Sequence, residues 1–204
     1  MITTYEALSM GQYQEIDRIT RTGGDELEVQ VAILSILTGK PEAELLRLPL
    51  AEYTDLAGQS NFLRKPLEKV PKTRKEYALG EWRLRPCQDY RKLTAGQYID
   101  FQAFLPDLDT YLVEFLSTML VPKGKRYCEG YDVADVQKAI RDHMTMGDAI
   151  PLTAFFFKSL ETSIADMLNY SESMAKGIRD KEQRQEMLTK IHKVKEALRR
   201  NGDG

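Results

Sequence analysis

Apolar residues recur at helical spacing along most of this chain, and the breaks between the runs fall at glycine, proline and capping residues. The first run covers residues 9–22, where Gly23-Gly24 ends it. A second starts near Asp25, with Leu27, Val31 and Leu34 on one face and Gly39 as its terminator. Pro41, favoured in a first helical turn, restarts a short helix. Leu48-Pro49 interrupts it, and residues 50–59 read as a fourth helix with Tyr53 and Leu56 inward. The period then changes. Residues 76–85 alternate polar and apolar positions around Gly80-Glu81, which predicts a hairpin with a type II′ turn. Leu79 then faces Trp82, and Tyr77 faces Leu84, on one side of the ribbon. Helical spacing resumes at Thr94 with a helix broken at Pro106 and a second over 109–120 that Pro122 ends. Further helices are expected over 132–144, with Val133, Val136 and Ile140 on one side, and over 149–170, set off by Gly147-Asp148. The last, over 171–200, is strongly charged.

One phrase occurs twice: Leu8-Ser9-Met10-Gly11-Gln12-Tyr13 and Leu93-Thr94-Ala95-Gly96-Gln97-Tyr98. Each copy is a complete helix start. Ser9 or Thr94 is the N-cap, and Gln12 or Gln97 stands where a capping box needs it. The flanking Leu and Tyr are placed for a hydrophobic staple. An apolar helix follows both, which predicts a duplicated helical unit. The expected fold is mainly α: two related helical units joined by a short β-hairpin, with a charged C-terminal helix. Residues 1–63 form the first unit, 64–92 a basic linker and hairpin, 93–170 the second unit, and 171–204 the charged helix and tail.

Charge follows the same blocks. The net charge of −2 hides values of −6 for residues 1–63, +6 for 64–92, −5 for 93–170 and +3 for 171–204. Two acidic helical blocks alternate with two basic segments. Near-neutrality overall argues against a protein that coats nucleic acid. No apolar run approaches the ~20 residues of a membrane span, and the start of the chain lacks the pattern of a secretory signal. Cys87 and Cys128 are isolated, which suits a reducing compartment better than a disulfide scaffold.

The residues that could carry chemistry form no catalytic or metal-binding constellation. His143 and His192 belong to no zinc motif, and neither cysteine has a CxxC partner. Asp107 with Asp109, and Asp132 with Asp135, stand where helix starts favour negative charge. No P-loop, dinucleotide fingerprint or nucleophile elbow is present. No enzymatic activity and no cofactor are expected. Lys65, Lys69, Lys72, Arg74, Lys75, Arg83, Arg85, Arg91 and Lys92 alternate with Tyr77, Trp82 and Tyr90, a composition able to hold single-stranded nucleic acid. The competing reading, which we favour, has the cations meeting the acidic units and the aromatics forming the ribbon's buried face. In the last helix, Met187, Ile191, Val194 and Leu198 make a thin seam at coiled-coil spacing. It docks either on its own domain or on a partner. Together with Tyr77 and Trp82, these are the candidate partner-binding residues.

Residues 31–53, from Val31-Ala32-Ile33-Leu34-Ser35-Ile36-Leu37-Thr38-Gly39 through Glu44-Leu45-Leu46 to Tyr53, resemble the core of tail assembly chaperones of tailed bacteriophages. The start at Leu8 and the ribbon followed by a second such start are similar to proteins from phages and prophages of gut bacteria. The good match covers residues 8–63 and rests on helix ends and apolar positions. Two copies and an added C-terminal helix depart from the simpler members. The resemblance implies a non-enzymatic chaperone or accessory protein that binds a tape-measure or tail-tube-like component, alone or as a homo-oligomer. It would act in the host cytoplasm during assembly. A structural or adaptor protein of the virion is the alternative, and single-stranded nucleic-acid binding a third.

Overall fold

The computed structural model describes residues 1–64, 72–87, 89–108, 110–176 and 181–202, and the structural statements below concern these residues. The fold is mainly α, with one small antiparallel sheet between helical regions. Helices α1 (Met10–Thr22), α2 (Glu26–Thr38), α3 (Glu42–Leu45) and α4 (Leu50–Gln59) precede strands β1 (Tyr77–Leu79) and β2 (Trp82–Pro86). Then come α5 (Ala95–Phe104), α6 (Leu112–Met119), β3 (Leu120–Pro122), α7 (Val133–His143), α8 (Met146–Lys176) and α9 (Lys181–Gly202).

Local chemistry sets most of these boundaries. Ser9 Oγ accepts from the Gln12 amide at 3.2 Å, and Gln12 Oε1 accepts from the Ser9 amide at 3.0 Å, completing the capping box. Asp25 caps α2, Asp132 caps α7, and Gly39 ends α2 in the left-handed region at φ 72°. Thr94 caps α5, but the Gln97 side chain turns inward and donates to the carbonyl of Thr118. Of the second capping box only the Thr94 half forms. Tyr13 packs at a steep angle to Tyr5, with ring centroids 6.0 Å apart, and Tyr98 is half exposed. Ser9→Ala and Thr94→Ala are each expected to cost ~1 kcal/mol, the usual worth of an N-cap. Shifts in urea midpoint measure this, and unchanged midpoints for both would remove them as caps.

The ribbon forms in the expected register, with Tyr77 opposite Leu84 and Leu79 opposite Trp82. Gly80 takes φ 59° at the first turn position, while Glu81 does not enter the left-handed region, as a type II′ turn requires. The ribbon is not two-stranded, however. Leu120–Pro122 leaves the helix and pairs with β2, Pro86 opposite Leu120 and Leu84 opposite Pro122. Pro122 pushes Val121 into extended backbone and cannot continue a helix, so α6 stops earlier than its apolar run suggests. The start of α8 also differs from expectation. The break falls at Met144 and Thr145, where Thr145 bridges Ser9 and the Leu8 carbonyl accepts from the Met146 amide at 2.8 Å. Gly147 lies inside the helix because a Cβ there would stand 3.0 Å from Cβ and the carbonyl of Glu6. It is a contact glycine, not a breaker.

Compactness divides the chain into two units, Met1–Cys87 with Leu93–Phe155, and Gln88–Lys92 with Phe156–Gly204. The first therefore holds both helix pairs and the sheet, whereas the sequence blocks place them in separate segments. Its core gathers Leu8, Met10, Tyr77, Leu84, Phe101, Phe115, Leu116, Met119 and Ile140, all buried. A satellite cluster of Val31, Leu34 and Leu45 is covered by Leu48 and by Tyr53 and Leu56, the last two facing inward as their spacing predicts. The second unit has its own cluster, Leu168 and Ile191 with Leu188 packed against them.

The α1–α2 and α5–α6 pairs share several positions. Ile16 and Phe101 are buried at corresponding places in α1 and α5. Leu34-Ser35-Ile36-Leu37 aligns with Leu116-Ser117-Thr118-Met119, and Val31, Leu34 and Leu37 are buried like Val113, Leu116 and Met119. The motif glutamine reaches the equivalent carbonyl in each pair, Gln12 that of Ile36 and Gln97 that of Thr118. The likeness stops after α2 and α6, where one chain enters α3 and the other a strand. The motif glycines also differ. A Cβ on Gly11 would lie 3.0 Å from Cγ and 3.1 Å from the carbonyl of Arg141, whereas Gly96 has open space. Gly11→Val is thus expected to destabilise by about 1–3 kcal/mol through overpacking. Gly96→Ala is expected to be neutral or slightly stabilising, since alanine favours the helix. Thermal unfolding of both variants checks the contrast.

Candidate partner-binding groove

Side chains are described for four of the six candidate residues, Tyr77 and Trp82 in the first unit and Met187 and Ile191 in the second. Tyr77 is a core residue at 1% exposure, its hydroxyl accepting from the Arg74 amide at 3.1 Å, so it is closed to a partner. Burial pushes its phenol up. Trp82 is half-buried and packs edge-on to Tyr131, with ring centroids 6.2 Å apart. Ile191 is buried against Leu168 within its own unit, which makes this part of the seam an internal contact. Met187 stays exposed, and the side chains of Val194 and Leu198 lie outside the described residues.

The basic segment is partly spent on ion pairs. Arg74 meets Asp148 at 3.0 Å, and Glu76 takes both Arg85 at 3.1 Å and Lys123 at 3.3 Å. The hydrogen bond from Arg85 is the main reason that the Glu76 carboxyl lies below its ordinary range. Tyr90 donates to the Phe156 carbonyl at 2.7 Å. Lys65, Lys69 and the Arg91 side chain lie outside the described residues. With Tyr77 buried and Trp82 against Tyr131, the ribbon presents no row of open rings on which bases would stack. Among the described residues no cluster of three or more His, Cys, Asp or Glu is arranged for a metal, and no helix is long and apolar enough to cross a membrane.

A different feature carries the best binding geometry. A groove of about 470 Å³ is lined by α1 and α2, with Tyr5 and residues of the 3-10 turn Ser60–Arg64 adding to the lining. That volume is in the range of ligand sites, roughly 300–1,000 Å³. One wall is Tyr13, Ile16, Asp17 and Thr20; the other is Glu26, Val29, Gln30 and Ile33. Both sets follow the i, i+3, i+4, i+7 spacing of a single helix face. Leu63 and Asn61 complete the lining. Tyr53 donates to Gln30 Oε1 at 3.2 Å and so ties α4 to the second wall. Burial pushes the Tyr53 phenol up, keeping that donor protonated at neutral pH.

Helix α2 explains why this surface exists. Val31, Leu34 and Leu37 go into the core, yet Val29, Ile33 and Ile36, on other sides of the helix, are only half-buried. A helix apolar on more than one side is ordinarily covered on each. The signal was present in the sequence, since only Glu26, Glu28, Gln30, Ser35 and Thr38 interrupt α2 with polar side chains. Large apolar side chains are exposed elsewhere in the first unit as well: Leu27, Leu46 and Leu50, and on or beside α5 and α6 Tyr98, Ile99 and Tyr111.

No protein-family model, curated protein or solved structure matches the chain.

Proposed function

We propose that the protein is a non-enzymatic assembly factor of tailed phages, a tail-assembly chaperone or accessory protein that binds a tail component. The observation that carries this reading is the α1–α2 groove, an apolar helix-lined surface on an acidic helical block. Apart from Tyr5 its lining falls within residues 8–63, the stretch that resembles tail assembly chaperones, and the exposed Leu27, Leu46 and Leu50 belong to the same stretch. Such surfaces serve proteins that cover the apolar faces of helical partners before those partners assemble. A structural or adaptor role in the virion uses the same surface and differs in where the protein ends up.

The test is affinity capture from cells producing phage, compared with the protein content of purified particles. Capture of a tape-measure or tube-like protein, with this chain missing from particles, is the expected result. A fixed copy number in particles would replace the chaperone with the virion component. Absence of tail proteins from the captured material would end the tail-assembly reading.

A further inference from the structure

We propose that the α1–α2 groove holds the apolar face of a basic amphipathic helix of the partner protein. This deepens the function proposed above, and the identity of the partner as a tail protein rests on that reading. The groove itself argues for a helix. Each of its two walls is a stripe of helical spacing, with Ile16, Val29, Ile33 and Leu63 supplying apolar surface and Tyr13 an aromatic ring. A third helix laying an i, i+3, i+4, i+7 stripe between them completes the cover that α2 lacks on this side.

Charge settles the sign of the partner. Among the described residues, the carboxylates lining the groove are Asp17 on one wall, which pairs with Arg21 at 2.8 Å, and Glu26 on the other. Residues 1–63 carry 10 Asp and Glu against 4 Lys and Arg. Arg18, Arg21 and Lys40 are already paired with Glu15, Asp17 and Glu44 at 2.5–2.8 Å. Those pairs leave the acidic excess unchanged, and Asp25, Glu26 and Glu28 stand together at the start of α2, the helix of the second wall. A helix whose apolar stripe is flanked by Lys or Arg meets attraction at this rim, and one flanked by Asp or Glu meets repulsion.

Two labelled peptides of about 18 residues, long enough to form helix, test this by fluorescence anisotropy. Both carry leucine at helical spacing; lysine fills the polar face of one and glutamate that of the other. The Leu/Lys peptide is expected to bind the wild-type protein at least about tenfold more tightly than the Leu/Glu peptide, with the preference shrinking at high salt. Val29→Asp is expected to weaken Leu/Lys binding at least about tenfold, although it adds a negative charge. Mere attraction between opposite charges would instead grow stronger in that variant. Val29→Trp, which fills the groove without changing charge, is expected to do the same, and circular dichroism identifies any variant that fails to fold. Equal affinity for the two peptides, or undiminished Leu/Lys binding by both folded variants, would overturn the proposal. Tail proteins captured equally by wild type and Val29→Asp would defeat the groove assignment and leave the tail-assembly reading standing. Groove-dependent binding of the Leu/Lys peptide with no tail protein captured would uphold the groove and defeat that reading.

Discussion

Phe115→Ala is expected to destabilise the first unit by about 3–5 kcal/mol, the usual cost of removing a buried phenylalanine. Phe115 has no exposed surface, and its ring lies 5.2 Å from that of Phe101 at an interplanar angle of 41°. It joins α6 to α5, while its neighbours Leu116 and Met119 are buried on the same short helix. With seven of the eight residues of α6 buried, little of the surroundings is free to collapse into the space left behind. A lower denaturant midpoint with an unchanged slope measures the effect. A loss under about 1 kcal/mol would mean that the Phe101–Phe115 contact is not part of a tightly packed core.

Leu34→Ala is expected to cost about 2–5 kcal/mol and to have a second consequence. Leu34 is fully buried with Val31 and Leu45, and Leu48, Tyr53, Leu56 and Ala57 pack against that cluster. The cluster fastens α3 and α4 to α2. Loosening it moves the support of Tyr53, whose hydroxyl bonds to Gln30 on the groove wall. Faster amide exchange in α3 and α4, together with weaker binding of the Leu/Lys peptide, is expected in the folded variant. The equivalent change in the other pair, Leu116→Ala, should cost a similar amount while leaving the groove intact. Equal effects of both on peptide binding would show that the groove does not depend on this cluster.

The elements legible in the sequence were those decided within one turn. Capping by Ser9, Asp25 and Asp132, termination at Gly39, and the Gly80 turn depend on neighbouring residues, and each formed as its local chemistry requires. The inward faces of α4 and α7 followed from spacing in the same way. What was not legible depended on contacts distant along the chain. Nothing near Leu120 announces β2 as its partner, and Gly147 looks like a breaker until Glu6 is seen against it. Gln97 stands where a capping box needs it, yet only Thr94 caps the helix while the Gln97 side chain donates to the distant Thr118 carbonyl. The seam of α9 showed its spacing but not its cover, and Leu168 provides that cover for Ile191. The groove was half legible. Helix α2 carried surplus apolar residues from the start, but the other wall comes from α1, where Tyr13 reads only as a staple residue and Ile16 is not singled out. Their alignment with Val29 and Ile33 is a property of the packed pair.

The central claim, that this chain serves tail assembly through a helix-binding groove, is met most directly by counting tailed particles in electron micrographs of lysates from cells lacking only this gene. The expected result is intact heads without tails, with tails restored by the wild-type gene and not by Val29→Asp. Normally tailed, infectious particles in the absence of the gene would contradict it.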